Sequence, residues 1–131
     1  MTPEAALYLA AADEALSDAR RILSVDIPRQ AARLAYYAQF HAAQALIFER
    51  TGKIAKTHKG VDRQFHKVAR TEPLMPDDLK GTLASSYYYK DVADYQTGPT
   101  SSVTQAQARS AIVIADRFVT AIRQSLTPGS A

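Results

Sequence analysis

Apolar residues recur at helical spacing along almost the whole of this chain, and no stretch shows the period of two that a half-buried strand requires. The pattern is densest from Arg33 to Gly60, in RLAYYAQFHAAQALIFERTGKIAKTHKG. On a helix, Tyr36, Phe40, Ala43 and Ile47 form one stripe at steps of four, three and four. Arg33, Tyr37, His41 and Gln44 form a second, polar line beside it. This predicts a central helix from about residue 29 to residue 50, buried on more than one side, with Thr51-Gly52 as its stop.

The remaining elements are expected to surround it. Thr2-Pro3-Glu4 starts a first helix that runs to about Leu23, with Leu7, Ala11, Glu14 and Ile22 near one line. Val61, Phe65 and Val68 give a short amphipathic helix from about Thr57 to Arg70. Pro76-Asp77-Asp78 opens another, with acids in its first turn, carrying Leu79, Leu83 and Tyr87 inward and running into SYYYKDVADY. Gly98-Pro99 breaks the pattern and Thr100 to Thr104 offers several N-caps. A last helix reaches about Leu126, with Val103, Ser110, Ile114, Phe118 and Ala121 on one stripe. The expected fold is an all-α, mostly up-and-down bundle of about five helices. It forms one domain over residues 1–131, with a core at about 5–126 and a frayed tail at 127–131.

Composition narrows the chemistry. The chain has no cysteine, which excludes disulfides, thiolate catalysis and Cys-ligated zinc. The histidines at 41, 58 and 66 lack ligand spacing, so neither a metal nor another cofactor is expected. No stretch approaches the ~20 apolar residues that span a bilayer, and no leader pattern opens the chain, which points to a cytoplasmic protein. Net charge is only +3, so charge has to be read locally. Residues 53–70 hold Lys53, Lys56, Lys59, Arg63, Lys67 and Arg70 against a single acid, Asp62. Lys59, Arg63, Lys67 and Arg70 share the polar face of the predicted helix, the footprint expected for a phosphate backbone. A solvated face, or attraction to an acidic protein, would use the same residues.

Three motifs stand in order: Tyr36-Tyr37-Ala38 with Phe40-His41-Ala42-Ala43, then Thr57-His58-Lys59-Gly60-Val61, then Ala93-Asp94-Tyr95. Together they resemble the HEPN domains of prokaryotes, in their small UPF0332-like branch. The resemblance covers about Ala5 to Leu126 and implies a helical bundle acting as a homodimer. It also implies a toxin–antitoxin pair with a minimal nucleotidyltransferase, and RNA as the target. Active relatives are metal-independent ribonucleases with an arginine, four to six intervening residues, and a histidine. The arginine neutralises phosphate and the histidine moves protons.

This chain departs from that motif. Seven residues separate Arg33 from His41 and Arg50 from His58, and two separate Arg63 from His66. The matching position holds Lys90-Asp91-Val92-Ala93-Asp94-Tyr95. Lysine binds phosphate as a point charge without the fork of arginine, and tyrosine, with a pKa near ~10, is a poor base at neutral pH. Lys90, Asp94 and Tyr95 are therefore the candidate catalytic residues of a degenerate ribonuclease. Tyr95 is also the candidate acceptor for a nucleotide transferred by the partner. In a regular helix Lys90 and Tyr95 lie about 140° apart, so convergence requires a distorted helix end or a second subunit.

Plainer readings compete. Lys90 and Asp94 are spaced as a surface ion pair worth about 0.3–0.5 kcal/mol. His41, with Arg33 and Tyr37 in a supporting polar stripe, suits a histidine at the edge of the core, and His58 suits a helix cap. The alternative function is a non-catalytic helical module that binds a nucleotide or a protein.

Overall fold

Thr2 caps the first helix, α1 (Pro3–Ser24), by accepting a hydrogen bond from the Ala5 amide, and proline occupies the first turn. In this computed structural model, which describes residues 1–95 and 102–127, four further α-helices follow. They are α2 (Pro28–Thr51), α3 (His58–Ala69), α4 (Thr82–Tyr95) and α5 (Gln105–Leu126). Asp26 takes a left-handed φ of 61° in the short α1–α2 connector, a conformation its side chain tolerates better than most. Gly52 ends α2 at φ 70°, with its amide donating to the Phe48 carbonyl. Thr57 caps α3, and Thr104 caps α5 in a reciprocal box with Gln107.

The centre of the bundle is α2, which packs against α1, α3, α4 and α5. Tyr36, Phe40, Ala43 and Ile47 are all buried, as their spacing predicts. Small side chains make the crowding possible, because Ala31, Ala32, Ala35, Ala38, Ala42 and Ala45 are also buried and let neighbouring helices approach. A tilted ring pair, Phe65 of α3 and Phe118 of α5 at 5.1 Å, closes the core on another side.

Several expectations fail in detail. In α1 the buried line is Ala5, Leu9, Ala12, Leu16 and Ala19, while Leu7 and Glu14 face solvent. Alanine supplies most of this contact, so weighting by large side chains selects the wrong face. The helix expected from Pro76 is interrupted. A single 3-10 turn, Asp77–Leu79, is separated from α4, whose first residue is Thr82. Leu79 and Leu83 are buried as expected, but Tyr87 remains 37% exposed. Ser110 on α5 is exposed, its expected place in the stripe being taken by Ala111 and Ala108. The Gly98-Pro99 break, Thr100 and the tail beyond Thr127 lie outside the described residues.

Three polar ties hold α4 against α2. The buried Gln39 donates to Ser86 Oγ at 3.0 Å and accepts from Thr82 Oγ1 at 2.9 Å. The Arg29 guanidinium donates to the Val92 and Ala93 carbonyls at the C-terminal end of α4. Arg33 meets Asp94 at 2.6 Å. A side chain with every polar atom paired keeps its place in the interior, so these ties fix the height of α4 along α2.

Candidate functional site

Lys90 is the residue on which the site is built. It retains only 7% of its surface, and its ammonium is engaged by Asp94, Tyr95 and Tyr87. Asp94 lies 3.0 Å from Nζ, and the Tyr95 hydroxyl accepts from Nζ at 3.5 Å, the limit of a hydrogen bond. The rings of Tyr95 and Tyr87 sit 4.8 and 5.8 Å from the charge, close enough for cation–π attraction. Lys90 and Tyr95 thus converge within one chain, without the second subunit that their angular separation suggests. The lysine reaches one turn along α4 to Asp94, and Tyr95, the next residue, folds its ring onto the same ammonium.

Arg33 enters from α2. It pairs with the same Asp94 carboxylate and stacks 4.9 Å from the Tyr37 ring. The cluster holds two cations for one anion, so one positive charge is uncompensated within it. The hydrogen bond that Lys90 donates to Asp94 raises the Lys90 pKa and outweighs the opposing effect of burial. Burial pushes the Asp94 carboxyl up, but hydrogen bonds from Lys90 and Arg33 outweigh this and leave it lowered. Both groups are charged at neutral pH.

A histidine arrives from elsewhere in the chain. His58 is the first residue of α3, and its Nδ1 lies 2.8 Å from the Tyr36 hydroxyl of α2. Its ring is packed 5.1 Å from both Phe40 and Tyr87. Burial, and then the Lys90 charge, lower the His58 pKa below that of a free imidazole, with Asp94 opposing. Burial also pushes the Tyr36 hydroxyl well above its ordinary value, so it stays protonated. A neutral imidazole therefore stands beside a fixed ammonium, with Nε2 unpaired among the described residues. Sequence spacing does not reveal this pair, because α3 and α4 meet only in the folded chain.

The other expected residues separate into two places. Tyr37 contacts Arg33 and His58 and belongs to this cluster. His41 does not join it. Its Nδ1 pairs with Gln44 at 2.9 Å, and Gln44 donates to the Ala55 carbonyl, fastening the α2–α3 connector. Lys59, Arg63, Lys67 and Arg70 all lie exposed along α3, on a continuous basic face. Lys59 also lines a pocket of about 230 Å3 with Tyr36, His58, Asp62, Leu83, Ala84 and Tyr87. Tyr87 connects the pocket to the lysine, since its ring lines the pocket and lies 5.8 Å from Lys90 Nζ.

Among the described residues, no group of three or more His, Asp or Glu side chains is placed to hold a metal ion. No described helix is long and apolar enough to cross a membrane.

Comparison with known proteins gives three results. The sequence profile of the HEPN domain matches residues 5–125. A protein of Methanocaldococcus jannaschii named "Putative toxin MJ0605" is 32% identical over 115 residues, covering 88% of this chain and 83% of its own length. The crystal structure of TT1696 from Thermus thermophilus superposes with a TM-score of 0.82 at 20% identity, over 95% of this chain and 99% of that one. At that identity the superposition speaks to the fold.

Proposed function

The chain belongs to the HEPN domain family, and on that basis we propose that it is the toxin-like member of a toxin–antitoxin pair, acting on RNA with a minimal nucleotidyltransferase as partner. The observation that carries this reading is the neutral His58 imidazole beside the fixed Lys90 ammonium, at the edge of the basic face of α3. Phosphodiester cleavage needs these two elements, a cation for the phosphate and a group that exchanges protons near neutrality.

The chemistry follows from their charge states. A phosphate docks on Lys90, supported by the surplus charge it shares with Arg33 and Asp94. With Nδ1–H donating to the Tyr36 oxygen, His58 Nε2 presents a lone pair and takes the proton of the ribose 2′-hydroxyl. The 2′-oxygen attacks phosphorus, the bond to the 5′-oxygen breaks, and the imidazolium returns its proton to that leaving oxygen. The products are a 2′,3′-cyclic phosphate and a free 5′-hydroxyl. Lys90 disfavours the imidazolium in the empty site, and a bound phosphate anion offsets that effect. Basicity thus rises when substrate is present.

Tyr95 suits control of this site. It is 70% exposed, with its hydroxyl at Lys90 Nζ. A nucleotide transferred onto that oxygen places a phosphate against Lys90 and closes the site to RNA.

The test is cleavage of a short oligoribonucleotide by the purified chain in EDTA, alongside Lys90→Gln and His58→Asn. Wild type is expected to cut, and each variant to lose at least about 100-fold in rate. Retained cleavage in both variants removes these residues from the reaction. A folded wild type that binds RNA and leaves it intact establishes a binding module instead. The engagement of both Lys90 and Arg33 by Asp94 favours that second reading.

A further inference from the structure

One carboxylate is out of place on α3. Asp62 is the single acid among the six basic residues of positions 53–70, and it stands at the boundary between the basic face of the helix and the pocket, bordering both. Lys59 and Arg63 flank it, yet it forms no ion pair or hydrogen bond with any described residue. Half-buried at the rim of an apolar pocket, this carboxylate is available to accept hydrogen bonds from a ligand seated there.

The pocket constrains that ligand. Its volume of about 230 Å3 is below the ~300–1,000 Å3 of drug-sized sites, so it takes one ring system and not a complete nucleotide. Its walls are flat or aliphatic: Leu83, Ala84 and Tyr87 come from α4, and the Tyr36 and His58 rings from α2 and α3. Aromatic walls stack nucleobases. Asp62 lies one helical turn from His58 on α3, so the carboxylate and the imidazole line the pocket at separate places, with Lys90 reached past the Tyr87 ring.

The geometry points to a nucleobase subsite that selects guanine, with the base in the pocket and its sugar-phosphate at His58 and Lys90. Two carboxylate oxygens accept best from two adjacent N–H donors. The guanine edge presents them, as N1–H and the N2 amino group. Adenine and cytosine each place a ring-nitrogen lone pair beside their amino group, which faces the carboxylate unfavourably. Uracil offers one N–H between two carbonyls. This deepens the RNA reading above and rests on it, since it names the base at the same site.

The experiment is calorimetric titration of the full chain with guanosine, inosine, adenosine and cytidine 5′-monophosphates, beside binding of a mixed-sequence oligoribonucleotide. GMP is expected to bind about tenfold tighter than AMP or CMP, with IMP, which lacks the 2-amino group, between them. Asp62→Asn, whose amide both donates and accepts, is expected to reverse the preference towards AMP. Ala84→Phe fills the pocket from its exposed rim and is expected to abolish GMP binding while circular dichroism shows an intact fold. Equal binding of the four nucleotides, or no GMP binding by folded protein, overturns the subsite. An unchanged GMP-to-AMP ratio in Asp62→Asn does the same. If the oligoribonucleotide still binds, the RNA reading survives that result; if it does not, both fall.

Discussion

Lys90 and His58 stand close enough for the charge of one to set the protonation of the other. Burial lowers the His58 pKa first, and the ammonium lowers it further. In an NMR titration the His58 ring should therefore titrate below the ~6.5 of a free imidazole, and Lys90→Gln should move its midpoint upward. A downward or absent shift would show that the ammonium is not felt at the ring. The sign for stability follows from linkage. The unfolded chain binds the His58 proton more readily than the folded one, so stability rises with pH across this window. The contribution is complete above the unfolded value of ~6.5 and is lost as pH falls through the folded value. His58→Asn should flatten this part of the stability profile. Lys90, Asp94 and Tyr95 are legible in the sequence because they share little more than one turn of α4. Arg33 is legible only as a member of a polar stripe and His58 only as a helix cap, because they reach the same point from α2 and α3, and no spacing rule spans separate helices.

Helix α3 is positioned by its first turn. Thr57 Oγ1 accepts from the Gly60 amide at 2.9 Å, and a Cβ added at Gly60 would stand 2.7 Å from the same oxygen. A side chain at 60 would therefore push the threonine oxygen off the cap, and the Thr57-His58-Lys59-Gly60 motif reads as a device for orienting His58. Gly60→Ala should displace the threonine and cost about 1 kcal/mol in thermal or denaturant unfolding, with a changed His58 resonance. Thr57→Ala removes the cap without the clash and should cost a similar amount; an unaltered stability in both would refute the role of the cap. The outer face of α3 makes a separate prediction. If Arg63, Lys67 and Arg70 contact phosphates, each change to Gln should reduce the salt slope of RNA binding by about 0.7. Affinity lost without a change in slope would assign them to something other than phosphate. The helices themselves are legible from period and caps. The misread face of α1 and the break before α4 have a common cause. Alanine-mediated packing and a one-turn 3-10 element both leave little hydrophobic signal, and tertiary contact decides between the alternatives.

At the scale of the whole molecule, the site depends on the crowding around α2. Phe65 and Phe118 join α3 to α5 through rings that are fully buried. Phe118→Ala should therefore cost about 3–5 kcal/mol and loosen α3 as a unit, carrying the basic face with it. The complete cluster of Arg33, His58, Lys90, Asp94 and Tyr95 lies within one chain. This bears on the homodimer implied by the family resemblance. Tyr87, Tyr88 and Tyr95 expose 37%, 50% and 70% of their surfaces beside the cluster, and such rings suit either stacked bases or a second copy. Tyr88 separates these roles, because it points its ring at Tyr89 and contributes to neither the Lys90 partners nor the pocket. If the exposed tyrosines form a dimer seam, sedimentation of the wild type should give twice the 14.3 kDa chain mass, and Tyr88→Lys should give a monomer. Because the cluster is assembled within each chain, that monomer should retain nucleotide binding per chain. A monomer that loses it would mean that the partner copy completes the site, and that Lys90 and Tyr95 meet in one chain without being sufficient.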